Sequence, residues 1–381
     1  MMYQYSKYWL YEKPHDDAET CNRYINEMLQ RNPKYQVSIF LLVSKKDIIG
    51  VLKKMNTEKF IIKFGVKNET DSIFSIKIAK KDSDDFGNVL IMSTSKSEIY
   101  FAITTESHIF VESVLRPFIN SFYPEISRAF LSSQEIQQIL EMLENKSNLK
   151  IITDKITAYK RISHKIGFNK KRQTGTSIDS KESAVTYTGK PYKESFGDAI
   201  SNDQWIDKIQ FHLLRNDHKS MQCYFSRSSL FRFRYGFSPF YQIVTPYIIE
   251  LVEKKFKLYS NRSRTEDKTR PAPLVIALDH DMFEDMEQNS RFIQSMKKMT
   301  HVSTSTYHSN SYIHISLVDY LDGSSFDIWV LSANKITIVP QLRASHSSVA
   351  RLLNHIFERF SEGKILEYEG YVKSAKMKSK E

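Results

Sequence analysis

The residues of this chain best suited to chemistry are its arginines, and two of them stand in the stretch SSLFRFRYGF, Ser228 to Phe237. In an extended chain, successive side chains point to opposite sides. Phe231, Phe233 and Tyr235 then share one side, and Arg232 and Arg234 share the other. One side calls for a core, and the other for water or an anion. An ordinary half-buried strand with a solvated charged face shows the same alternation, so the position of the remaining charge decides the reading.

That charge is concentrated. Between Lys150 and Ala272 there are 24 Lys and Arg against 12 Asp and Glu, an excess that accounts for the whole formal net charge of +11. The same segment holds FNKKRQTGTSIDSKES, with Lys170, Lys171 and Arg172, and SNRSRTEDKTRPAP, with Arg262 and Arg264. Together with Arg227, Arg232, Arg234, Lys254 and Lys255, these form the expected nucleic-acid-binding set. Such cations, interleaved with aromatics, suit a phosphate backbone and stacked bases.

A second chemistry is written in VIALDHDMFED, where Asp279, His280, Asp281, Glu284 and Asp285 follow an apolar run. Carboxylates at a strand end can hold Mg²⁺ for phosphodiester cleavage, and Asp279 with Asp281 would do so in a nuclease. Acidic residues also collect in the first turn of a helix because of its dipole, and that is the role expected of Asp279. No Gly-rich phosphate loop, G-x-S-x-G elbow, H-E-x-x-H or paired C-x-x-C occurs. The 11 histidines are scattered. The expectation is a protein without catalytic activity, metal or other cofactor.

The two cysteines, Cys21 and Cys223, lack metal-ligand spacing and read as buried thiols of a reducing compartment. No apolar run approaches the ~18 residues of a membrane span, and the N-terminus lacks the order of a signal peptide. A cytoplasmic protein without a membrane partner is expected. A chain of 381 residues with 41% hydrophobic and 26% charged content can bury a sizeable core.

The elements that must carry these residues show an internal correspondence. NVLIMSTSKSEIYFAITTESHIFVESVLRPFINSFYPE, Asn88 to Glu125, lies without a gap over FDIWVLSANKITIVPQLRASHSSVARLLNHIFERFSEG, Phe326 to Gly363. Ser107-His108 falls on Ser345-His346, Leu90 on Ile328, Tyr100 on Ile338 and Leu115 on Leu353. Each copy reads as two short strands and an amphipathic helix opened by a Ser N-cap. Upstream, VSIFLLV, KKDIIGVLKKM, KFIIKFGV and SIFSIKIAKK match PLVIAL, HDMFEDMEQNSRFIQSMKKM, HVSTSTYH and SYIHISLVDY. Both ends spell strand, helix, four strands, helix.

That order resembles the tandem repeat of the TATA-box-binding protein family over about Val37–Glu125 and Pro273–Gly363. The resemblance implies an α+β fold: two curved antiparallel sheets, each with helices on one face. The glycine usual in the last hairpin turn is replaced here by Ser95-Lys96 and Ala333-Asn334. The expected organisation is a first sheet-and-helix repeat with an N-terminal helix over 1–149, then a basic α/β insertion over 150–272 with a mobile loop at 168–190. A second repeat over 273–370 and a basic disordered tail at 371–381 complete it. Within the insertion, SNDQWIDKIQFHLLRN reads as a helix, MQCYFSR and LFRFRY as a hairpin, and YQIVTPYIIELVEKKFKLYSNRSR as a helix restarted near Pro246.

If Leu90, Met92 and Tyr100, with Ile328, Val330 and Ile338, face the helices, the opposite faces carry Ile91 and Phe101, with Trp329, Leu331 and Val339. An apolar second face needs a cover: the rest of the chain, a protein partner, self-association, or nucleic acid. The leading expectation is DNA or RNA binding through the basic centre. The alternatives are a scaffold that docks a protein on a sheet face and the Asp279–Asp281 nuclease.

Overall fold

The structure, a computed structural model, describes residues 9–54, 58–81, 83–161, 184–215, 218–264, 273–309 and 312–368. The chain is α+β, with two antiparallel sheets of eleven and six strands. It divides into two compact units. The first draws on Met1–Ala158, Val185–Ala199 and Ile206–Lys255, and the second on Tyr159–Ala184, Ile200–Trp205 and Phe256–Glu381. Elements that cross these limits are described with the unit that holds most of their length. Of the loop 168–190 expected to be mobile, residues 168–183 lie outside the described residues, as does the tail 371–381, whereas 184–187 form a strand.

In the first unit the chain runs α1 (Trp9–Glu12), α2 (Ala18–Arg31), β1 (Val37–Ser44), α3 (Ile48–Lys54), β2 (Phe60–Lys67), β3 (Ile73–Lys80), β4 (Phe86–Ser93) and β5 (Ile99–Thr104). Next come α4 (His108–Phe110), a π turn (Val111–Leu115), α5 (Arg116–Asn120), β6 (Ile126–Arg128), α6 (Ser133–Ser147) and β7 (Lys150–Lys160). It closes with β8 (Ala184–Tyr187), α7 (Tyr192–Ser201), β9 (Gln204–Arg215), β10 (His218–Ser226), β11 (Leu230–Tyr235), α8 (Phe237–Ile243) and α9 (Thr245–Tyr259). The strand order is β2-β3-β4-β5-β1-β11-β10-β9-β7-β8, with β6 also on β1.

β1 is buried along its whole length. Its continuous apolar run VSIFLLVS is what a central strand covered on both faces requires. One core lies on the side of α3 to α5, where Phe40, Val89, Ile91, Tyr100 and Ala102 meet Leu52, Phe110, Leu115 and Phe118. On the other side, Ile39, Met92, Phe101, Ile103 and Phe231 lie under Phe237 and Phe240 of α8 and Ile248 of α9. The second face of this sheet is thus covered by the chain's own central segment. In β4 it is Ile91, not Leu90 or Met92, that faces the α3–α5 side.

Strands β7 to β11, from the segment 150–272 expected as an insertion, extend the first sheet: Ile39 of β1 pairs with Phe231 of β11. SNDQWIDKIQFHLLRN, expected as a helix, contains the strand β9, whose Phe211 pairs with Cys223. Ile206, Ile209 and Leu213 fit a helical stripe, yet Ile209, Phe211 and Leu213 also alternate, and pairing with β10 selects the extended form. The hairpin of β10 and β11 and the helix restart near Pro246 are found as expected.

The second unit holds β12 (Leu274–Leu278), α10 (Met286–Lys297), β13 (Val302–His308), β14 (Ile313–Asp319), β15 (Ser324–Ser332), β16 (Lys335–Pro340), α11 (His346–Arg359) and β17 (Gly363–Glu367). The order β13-β14-β15-β16-β12-β17 matches that of β2-β3-β4-β5-β1-β6. Ser107 and Ser345 both cap helices, accepting from the amides of Phe110 at 3.2 Å and Ser348 at 3.1 Å. The gapless overlay slips between the strands, however. Leu90 pairs with Ile103, whereas Ile328 pairs with Ile338, so Ile103 rather than Tyr100 occupies the place of Ile338. The turns differ: Ser93 pairs with Tyr100 across the first, and Ser332 with Lys335 across the second, after a bulge. Asp279 does not cap α10; Asp285 does, accepting from the amide of Gln288 at 2.7 Å.

Candidate nucleic-acid interface

Among the described residues, several of the expected cations are buried or tied to carboxylates. β11 splits as its alternation requires, with Phe231 and Phe233 buried and Arg234 exposed. Arg232 of this strand and Arg227 just before it are instead drawn inside the protein, where a charge needs a partner. Arg227 is only 2% exposed. Arg232 donates to Glu112 at 3.1 Å, with its side chain 10% exposed. Lys255 meets Glu135 at 2.5 Å and the Phe130 carbonyl at 2.9 Å. In the second unit, Arg262 is buried against Glu367 at 2.5 Å, and the amide of half-buried Arg264 donates to the Gln341 carbonyl. Exposed Lys254 is paired with Glu250 at 2.8 Å. Lys170, Lys171 and Arg172 lie outside the described residues. Of the described set, Arg234 and Lys254 are exposed.

Two assemblies that charge counting did not reveal emerge instead. In the first unit, Glu112 on the π turn accepts from both Arg232 and Arg116, the latter at 3.3 Å. The π turn precedes Pro117, which has no N–H to continue the α-helical ladder. His108 Nδ1 lies 3.0 Å from Arg232 Nη2. The Arg232 guanidinium also sits 5.2 Å from the Tyr224 ring centre, and burial pushes the Tyr224 phenol up to about 12. Arg128 of β6 belongs to the same neighbourhood. Burial first, and then the charge of Arg116, bring its guanidinium down to about 10. Its Nη1 is buried with no hydrogen-bond partner, and among the described residues no carboxylate lies at ion-pair distance from it.

In the second unit, alternation along β14 and β15 buries Ile313, Ile315, Ile328 and Val330 and turns His314, Ser316, Asp327 and Trp329 to the other face. His314 pairs directly with Trp329. Their rings stack with centroids 3.7 Å apart and planes 11° from parallel. Tyr307 of β13 adds a third ring, 4.9 Å from His314 and 62% exposed. Tyr312 lies parallel to Trp329 at 6.3 Å. Beyond Trp329 the same row continues into Thr337 of β16, which is far smaller than a ring. One notch along the strands, Asp327 accepts from Ser316 and from Gln341, the latter at 2.6 Å.

The acidic stretch offers less. Asp279 and Asp281 are exposed in the loop before α10, and among the described residues no three His, Cys, Asp or Glu side chains are grouped to hold a metal ion. Cys21 and Cys223 are buried free thiols, and burial pushes Cys21 up to about 12. Among the described residues no helix is long and apolar enough to cross a membrane. No protein-family model matches this chain, and no curated protein matches its sequence.

Proposed function

We propose that this chain binds single-stranded nucleic acid without transforming it, stacking bases against the Tyr307, His314 and Trp329 row of the second sheet. The ring stack carries this reading. Rings already at stacking distance imitate a run of bases, and their free end accepts an unstacked base. Bases inside a duplex have no such free faces, which favours single strands. Thr337, paired with Trp329 on the next strand, adds no ring to the row. A formal net charge of +11 supplies attraction to a polyanion.

The element order that resembles the TATA-box-binding protein repeat also argues for a sheet face as the contact surface. In the first unit that face lies under α8 and α9, which leaves the second sheet as the bearer of this role.

With Trp9 and Trp205 changed to Phe, Trp329 is the remaining indole of the three. Titration with an oligothymidylate of about 15 nucleotides is expected to quench its fluorescence saturably. Trp329→Ala is expected to weaken binding about tenfold, the ~1–3 kcal/mol of one stacked base. Unchanged fluorescence at saturating oligonucleotide would reject the reading.

A further inference from the structure

We infer that the guanidinium cluster of the first unit is a binding site for a phosphate group, either of a small phosphate ester or at the end of a nucleic-acid chain. Arg116 of α5 and Arg232 of β11 share Glu112, and Arg128 of β6 lies within reach of the charges of Arg116 and Glu112. One carboxylate, Glu112, serves Arg116 and Arg232 and has His108 Nδ1 at 3.6 Å. Burial pushes the carboxyl of nearby Asp207 up, against the pull of Lys208, Arg227 and Arg116. Arg128 is half-buried with its Nη1 unpartnered; the like charge of Arg116 lies beside it, Glu112 offsets that only in part, and among the described residues no carboxylate stands at ion-pair distance.

Leaving a buried charge unpaired costs stability, and burial persists where a partner completes the site. A ligand suited to these guanidiniums is anionic and accepts several N–H bonds at once, for Arg116 Nε, Arg232 Nε and Arg128 Nη1 are buried without hydrogen-bond partners. A phosphate does this with three oxygens, and guanidinium forks match its geometry. The cluster reaches solvent, since the side chains of His108, Glu112 and Arg116 are 64%, 37% and 33% exposed. Arg232 forms the deeper part, at 10% exposed. The inference is independent of the stacking row, since no residue is shared.

The test is thermal unfolding of the full chain titrated with inorganic phosphate at constant ionic strength, chloride being the compensating anion. Wild type is expected to gain a saturable rise in melting temperature. Arg128→Met is expected to lose that response while keeping an equal or higher melting temperature without phosphate, because the unpaired charge is gone. A residue with only a structural role would lower the melting temperature at every phosphate concentration. Arg128→Gln serves as a second, polar replacement and is also expected to lose the response. A nucleoside monophosphate, and an oligonucleotide with 5′-phosphate compared with its 5′-hydroxyl twin, separate the two sources of the group. The inference is overturned if wild type shows no saturable gain, or if both variants respond as wild type does.

Discussion

Arg232 and Glu112 join β11 to the π turn at 3.1 Å, closing an ion pair between segments remote in sequence. Glu112 is also the carboxylate of Arg116. Glu112→Gln therefore leaves two guanidiniums without their counter-charge. Stability is expected to fall by about 1 kcal/mol, a buried-pair loss reduced by the carboxylate's partial exposure. Affinity for phosphate is expected to rise in the same variant. Urea unfolding and a phosphate titration check both signs.

Acid sensitivity should come in part from His355. Burial first, with the charge of Arg351 adding to it, holds this imidazole below its ordinary 6.5, against the pull of a 2.8 Å hydrogen bond to the Ser295 carbonyl. The unfolded chain then binds a proton at higher pH than the folded one. Stability is complete above that range and falls as pH drops through the unfolded value. His15 shifts in the same direction, again through burial. Melting temperatures at pH about 7.5 and about 5.5 should differ less in His355→Gln than in wild type.

Gly236 opens α8 with φ of 73°, and a Cβ there would stand 2.6 Å from Met221 Cβ and 2.7 Å from the Ser220 carbonyl. Gly236→Ala must adopt a strained backbone and displace β10 as well. A loss of about 1–3 kcal/mol is expected in urea unfolding.

Lys63 and Lys77 face each other directly across β2 and β3. Like charges at such positions repel. Lys77→Glu is expected to raise the urea midpoint, and the gain should shrink as salt is raised above about 0.5 M.

Much of the strand pattern is legible in the sequence because it is local. FRFRY alternates, VSIFLLVS is apolar throughout, and Ser107 and Ser345 each stand before a helix. What depends on distant pairing is not legible. Ile206, Ile209 and Leu213 satisfy a helix as well as a strand until β10 supplies Cys223 opposite Phe211. The concentration of charge between Lys150 and Ala272 is real, but Glu112, Glu135 and Glu367, which neutralise Arg232, Lys255 and Arg262, lie outside that segment. Arg116 and Arg128 enter their cluster from a part of the chain without excess charge. Tyr307, His314 and Trp329 stand on three different strands, and only the register brings their rings together.

Binding of one fluorescent oligonucleotide, offered as a single strand and as a duplex at the same salt concentration, tests the stacking surface most directly when wild type is compared with Trp329→Ala. The single strand should bind wild type more tightly than the duplex, and Trp329→Ala should erase most of that difference. Tighter binding of the duplex, or a single-strand affinity indifferent to Trp329→Ala, would contradict base stacking on the second sheet.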